Sequence, residues 1–183
     1  MVATAILDSA AVAVVDLGVD RITIAEIARR AGVSRPTVYR RWSGVETVLA
    51  ALLEREILHI AADVPARPRD REDLVAYVVT VAHKVEQHRV FDTVMHSSPE
   101  IFRTYVLTRL GTSQRALIDV LTAYIVRVQQ GGTARAGDPH QMAAMVLLIT
   151  QSAIQSAHAV EPILDDTALS AELTHALNGY LAP

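Results

Sequence analysis

The chain has 183 residues, 51% of them hydrophobic, which is enough for one domain, or a small domain joined to a larger one, with buried cores. Its formal charge of −3 excludes an overall basic footprint, so any attraction to nucleic acid is local. With no cysteine, disulfides, thiolate catalysis and cysteine-based zinc sites are excluded, which fits a reducing interior.

The opening stretch, MVATAILDSAAVAVVDLG, is apolar but has no basic n-region and is interrupted by Asp8 and Asp16, so it reads as neither signal peptide nor anchor. Helical periodicity predicts a first helix from about Thr4 to Leu17, its apolar face made by Ile6, Leu7, Ala10, Ala11, Val14 and Val15 and its end marked by Gly18. In the following ITIAEI, Thr23 as N-cap with Glu26 three residues on is a capping box, and Ile22 and Ile27 stand where a hydrophobic staple needs them. Gly32 stops that helix near residue 31. Ser34 caps a further short helix, 35–42, with Pro36 in its first turn, where a missing N–H does no harm. Two short helices joined through a glycine make a helix-turn-helix. Ser43 with Glu46 forms a second capping box that opens a long helix to about Ala62.

The segment DVPARPRD, 63–70, is the Pro-rich joint and the expected boundary. Beyond it the pattern predicts a helix at 71–88, irregular chain at 89–98, helices at 99–110 and 113–130, a loop at 131–138, and two final helices at about 139–159 and 167–181 flanking a turn at Glu161–Pro162. No segment alternates as a strand does. The expected fold is all-α, with about nine helices: a helix-turn-helix domain over 1–45, a connecting helix over 46–62, and a C-terminal helical domain over 63–183. No run reaches the ~18 uncharged apolar residues of a membrane span, since 142–157 is interrupted by Thr, Gln and Ser. No membrane partner and a cytoplasmic location are expected.

Charge is distributed unevenly. Residues 1–45 carry six Arg against four acids, a net +2, and five of those arginines lie between Arg29 and Arg41 with no acid after Arg29. In helix 35–42, Val38 and Trp42 lie four apart and face inward with Val33, leaving Arg35, Pro36, Thr37, Tyr39, Arg40 and Arg41 around the remaining surface. Arginine suits phosphate and the guanine edge, and Thr and Tyr hydroxyls reach phosphates. The second helix of such a motif enters the major groove with its N-terminal residues on base edges. The competing reading is a solvated cationic face on a small helical unit.

The string ITIAEIARRAGVSRPTVYRRW, followed by VETVLAALLE, makes residues 4–62 resemble the DNA-binding domain of the TetR family of transcriptional regulators. The resemblance implies that Thr23 caps the second helix and contacts phosphate, that Tyr39 binds phosphate, and that Arg35, Pro36, Thr37 and Arg40 meet bases or backbone, with Ser34 and Arg41 beside them. It implies double-stranded DNA with a palindromic operator as partner, no cofactor, and a homodimer paired through helices 139–159 and 167–181, where Met142, Met145, Val146, Ile149 and Ile154 alternate with small residues. It implies a repressor released from its operator by a small-molecule effector. The larger side chains on the helices that line the pocket in relatives are Tyr77, Phe91, Met95, His96, Phe102, Tyr105, Tyr124 and Met145; they carry little formal charge, so an apolar effector is expected. Two features depart from the family: Val45 replaces a phosphate-binding Lys, and no basic extension precedes the first helix, so no minor-groove arm is expected.

Two other readings remain. Glu56/His59 and Glu172/His175 repeat the Glu-x-x-His pattern of di-iron helix bundles, for which Glu86 and Glu100 are the additional carboxylates. A helical adaptor that keeps the fold of a DNA reader without its activity is favoured by the missing lysine. No phosphate loop, nucleophile elbow or His-Glu-x-x-His sequence points to an enzyme, and the lone His83, His88, His96, His140 and His158 read as surface or satisfied core groups.

Overall fold

The computed structural model describes residues 2–65, 67–97 and 112–183. Among them the regular elements are helical: α1 (Val2–Leu17), a 3₁₀ turn (Val19–Arg21), α2 (Ile24–Arg30), α3 (Arg35–Tyr39), α4 (Val45–Asp63), α5 (Arg71–Glu86), α6 (Arg89–Ser97), α7 (Thr112–Gln130), α8 (Pro139–Val160) and α9 (Asp166–Leu181). The all-α expectation is met. The segment 89–98, expected to be irregular, instead forms α6, because Val90, Phe91 and Val94 fall on one side of a single helical stripe and are all buried. The helix expected at 99–110 lies outside the described residues.

The chain divides into two compact units, Met1–Leu58 with Gln87–Gly111 and His59–Glu86 with Thr112–Pro183. Unlike a linear partition at 45 and 62, these units are discontinuous in sequence, since α6 packs on α1 and the 3₁₀ turn and so joins the first unit. In that unit the core collects Ile6, Ala10, Ala13 and Val14 of α1, Ile24, Ile27 and Ala28 of α2, Val38 of α3, and Val48, Leu49, Leu52 and Leu53 of α4. Ala11 and Val15, expected on the same face of α1, are only half-buried.

The second unit packs α7 on α8, α8 and α9 on α5, and α9 on α8. Leu74, Val78, Ile125, Met142, Val146, Leu177 and Leu181 are among its buried residues. Arg135 fastens the loop after α7 to the end of α9: its N–H donates to Leu181 O at 2.9 Å, its Nε to Tyr180 O at 2.8 Å, and its guanidinium lies over the Tyr180 ring. Burial, followed by the neighbouring Asp166, raises the Glu86 carboxyl above its ordinary value. His83 and His88 are half-buried, each with Nδ1 turned inward, and His88 Nε2 lies 3.7 Å from Glu56 Oε2.

Candidate nucleic-acid interface

α2 begins where the sequence places it. Thr23, in extended conformation, accepts from the Glu26 N–H at 3.2 Å. The return half of the capping box is not made: the Glu26 carboxylate turns instead to Arg29, at 2.6 and 2.9 Å, and to Arg30, at 2.7 Å. These charge-assisted bonds, from Arg29 first and Arg30 next, lower the Glu26 carboxyl from 4.5 to about 2. Gly32, at φ 65°, closes the helix in a Schellman arrangement, with Val33 N donating to Ala28 O at 3.0 Å and Gly32 N to Arg29 O at 3.3 Å. A side chain at that φ would be strained, so the turn requires glycine.

α3 starts at once. Ser34 Oγ accepts from Thr37 N at 3.3 Å and lies 2.9 Å from Thr37 Oγ1, while Pro36 occupies the first turn. The helix is five residues long and ends at Tyr39, shorter than the predicted 35–42. Val38 is its buried residue; Trp42 and Val33 are half-buried. Around Val38 the structure gathers Ser34, Arg35, Pro36, Tyr39, Arg40 and Arg41 as exposed residues, with Thr37 half-buried and Tyr39 55% exposed. Thr23 is exposed as well.

The five clustered arginines have two distinct fates. Arg29 and Arg30 are paired to carboxylates. Arg35, Arg40 and Arg41 have no carboxylate partner among the described residues. Three guanidiniums without a carboxylate partner, the exposed Tyr39 and the start of α3 thus follow one another over 34–41, and these are donors of the kind that phosphates and base edges accept from. Sequence inspection missed Asp16, whose Oδ2 receives Arg30 Nη1 at 2.6 Å; lying outside the motif, it gave no local signal.

The cap of α4 is also displaced. Rather than Ser43 with Glu46, Gly44 and Thr47 make it: Gly44 N donates to Thr47 Oγ1 at 3.2 Å, Thr47 Oγ1 donates to Gly44 O at 2.8 Å, and Val45 is the first helical residue. Val45 is half-buried there, and its side chain has no donor for an anion.

The residues named for an effector fall in both units. Phe91 and Met95 are on α6 in the first unit, with Phe91 buried against His88. Tyr77 and Tyr124, in the second unit, meet edge to face at 5.4 Å, and Tyr77 Oη donates to Ala61 O at 3.2 Å. Met145 is 42% exposed on the outside of α8, so it does not line an interior cavity of its own unit. Phe102, Tyr105 and the His96 side chain lie outside the described residues. An open cavity of about 350 Å³ in the second unit has Tyr77 on its wall with Pro65, Arg67 and Asp73; one of about 560 Å³ in the first unit has none of the named residues.

The two Glu-x-x-His pairs build no metal-ligating cluster among the described residues. Glu56 is taken by Arg55, and Glu172 and His175 are exposed on α9. Glu100 lies outside them.

A Schellman turn between two short capped helices, with unpaired cations on the second, defines a helix-turn-helix DNA-binding protein. A family model described as bacterial regulatory proteins, tetR family, matches residues 6–52. The uncharacterized HTH-type transcriptional regulator Rv2250c of Mycobacterium tuberculosis (strain ATCC 25618 / H37Rv) is 53% identical over 176 residues, spanning 96% of this chain and 92% of that protein. Among solved structures, the TetR-family transcriptional repressor QsdR of R. erythropolis superposes with a TM-score of 0.75 at 15% identity, over 98% of this chain and 94% of that one. FadR of Bacillus subtilis, in complex with stearoyl-CoA, gives 0.65 at 17% identity, over 97% and 98%. The chain belongs to the TetR family of HTH-type transcriptional regulators.

Proposed function

We propose that this regulator is a homodimeric repressor that reads a palindromic operator with residues 34–41 and leaves it when a small apolar molecule binds the second unit. The observation that carries the reading is the set of three unpaired arginines, Arg35, Arg40 and Arg41, around the single buried residue of α3. Arg35, in the first turn, is placed to meet a base edge, while Tyr39 and the two later arginines meet phosphates. They also compensate for the lysine that Val45 replaces.

Dimerisation is supported by α8. This helix is long and apolar enough to cross a membrane by length and composition, yet its buried residues, among them Met142, Val146 and Leu147, belong to a helical core, and only 28% of its apolar window is buried. Leu148, 58% exposed, and Met145 lie on the uncovered side. A second copy, set across a two-fold axis with α9 alongside, covers that surface and accounts for a palindromic site. For the effector, the Tyr77–Tyr124 pair offers aromatic surface without formal charge. Induction then follows from a ligand that prefers a conformation in which the two α3 helices no longer match the groove spacing. The protein acts in the cytoplasm, where the DNA is, and no catalytic step is required.

The test is selection from a random duplex pool at about 0.15 M salt, where non-specific phosphate attraction is already weakened. A two-fold palindrome should be enriched, and Arg35→Ala should relax its sequence preference at a cost of about 1–3 kcal/mol. Enrichment of nothing would remove the DNA-reading function and leave the adaptor.

A further inference from the structure

α2 and α3 are seven and five residues long, and helices of that length have no stability of their own in water. Their apolar underside, Ile24, Ile27 and Ala28 with Val38, is buried in the first unit. Burial of this kind is non-directional, so it fixes depth better than angle. Direction comes from one arginine. Arg30, the last residue of α2, sends Nη1 to Asp16 Oδ2 of α1 at 2.6 Å and Nε to Glu26 Oε1 of its own helix at 2.7 Å. Its side chain is 21% exposed against 70% for Arg29, so of two adjacent arginines one is turned toward α1 and the other toward solvent. A guanidinium holds its donors in a rigid plane, and binding two carboxylates at once fixes the roll of α2 relative to α1. The turn begins immediately after Arg30, with Gly32 and Val33 bonded back to Arg29 and Ala28, so that roll is passed directly to α3.

The geometry points to Arg30 and Asp16 as positioning residues for DNA reading, an ion-pair clamp between α1 and the end of α2 that sets the angle at which α3 presents Arg35, Thr37 and Tyr39. The inference rests on residues 34–41 being the reader. The discriminating variant is Asp16→Asn. It removes a negative charge from a DNA-binding unit, so electrostatics alone predicts tighter binding to every duplex. Loss of the clamp predicts the opposite for the operator: binding about tenfold weaker, equivalent to about 1.4 kcal/mol, with affinity for random duplex unchanged or higher. The Asp16→Asn, Arg30→Gln double variant should lose no more than Arg30→Gln alone, since both substitutions remove one interaction. Operator affinity equal to that of the parent, or losses that add, would overturn the clamp.

Amide exchange on the free protein supplies a readout that needs no operator. In Asp16→Asn, residues 28–39 should exchange about tenfold faster while 45–58 keep the parental rates. Unchanged exchange over 28–39 overturns the clamp whether or not a duplex is ever selected. A parent protein that enriches no duplex overturns the reader instead, and exchange then decides the clamp by itself. Asp16 is 50% exposed, so its replacement opens no cavity that would unfold the unit.

Discussion

Val38→Ala separates a recognition helix that is held by packing from one that is held by its caps. Val38 is fully buried, at 0% exposure, and is the only buried residue of α3. Deleting its two methyl groups forfeits about 1.6 kcal/mol of transfer free energy at about 0.8 kcal/mol per carbon. With a residual cavity the loss rises to about 2–3 kcal/mol. The Ser34 cap, worth about 1 kcal/mol, cannot offset that in a helix of a single turn or so. The detached form of α3 should therefore gain about thirty- to a hundred-and-fortyfold in population relative to the docked form. Two measurements follow it: amide exchange over 34–39, which should accelerate by that factor, and operator affinity, which falls as the docked fraction falls. The melting temperature of the protein should drop by about 4–12 °C. Parental exchange over 34–39 together with parental affinity would refute the reasoning and assign the anchoring of α3 to Ser34, Thr37 and the flanking backbone.

Tyr39→Phe removes an exposed hydroxyl and leaves the core alone, so the melting temperature should stay within about 1 °C while affinity for all duplexes falls by a similar factor; a change in base preference would contradict a phosphate role. Acid titration should expose the Glu26 network. Its carboxyl is depressed from 4.5 to about 2, so the stability it contributes is fully present above pH 4.5 and is lost as pH falls from 4.5 toward 2; in Glu26→Gln, melting temperature should be less dependent on pH across that window. Leu148→Glu places a charge on the uncovered apolar side of α8 and should convert a dimer to a monomer in sedimentation without unfolding the second unit; an unchanged mass would place the pairing surface elsewhere.

Features governed by neighbours in sequence were legible before any coordinates. Thr23 and Ser34 cap their helices because an N-cap needs only a side-chain oxygen within reach of an N–H three residues on, and Gly32 ends α2 because a left-handed φ excludes other residues. The cationic surface of α3 followed from helical spacing around Val38. What depends on partners distant in the chain was not legible. The Glu26 carboxylate had two local claims on it, the Thr23 N–H and the arginines, and the charge-assisted bonds prevailed. Glu26, on the same helix, already holds both Arg29 and Arg30; the second carboxylate on Arg30, Asp16, lies fourteen residues earlier and on another helix, so no local pattern shows it. The α6 segment, read as irregular chain, is a helix because Val90, Phe91 and Val94 are buried on one stripe, with α6 packed on α1 and the 3₁₀ turn, partners distant in the chain. Local hydrogen-bond geometry and side-chain period thus determined the helix-turn-helix from sequence alone. Tertiary packing decided what Arg30 is tied to beyond its own helix and whether α6 forms, because a carboxylate or an apolar face distant in the chain must be brought to them through space.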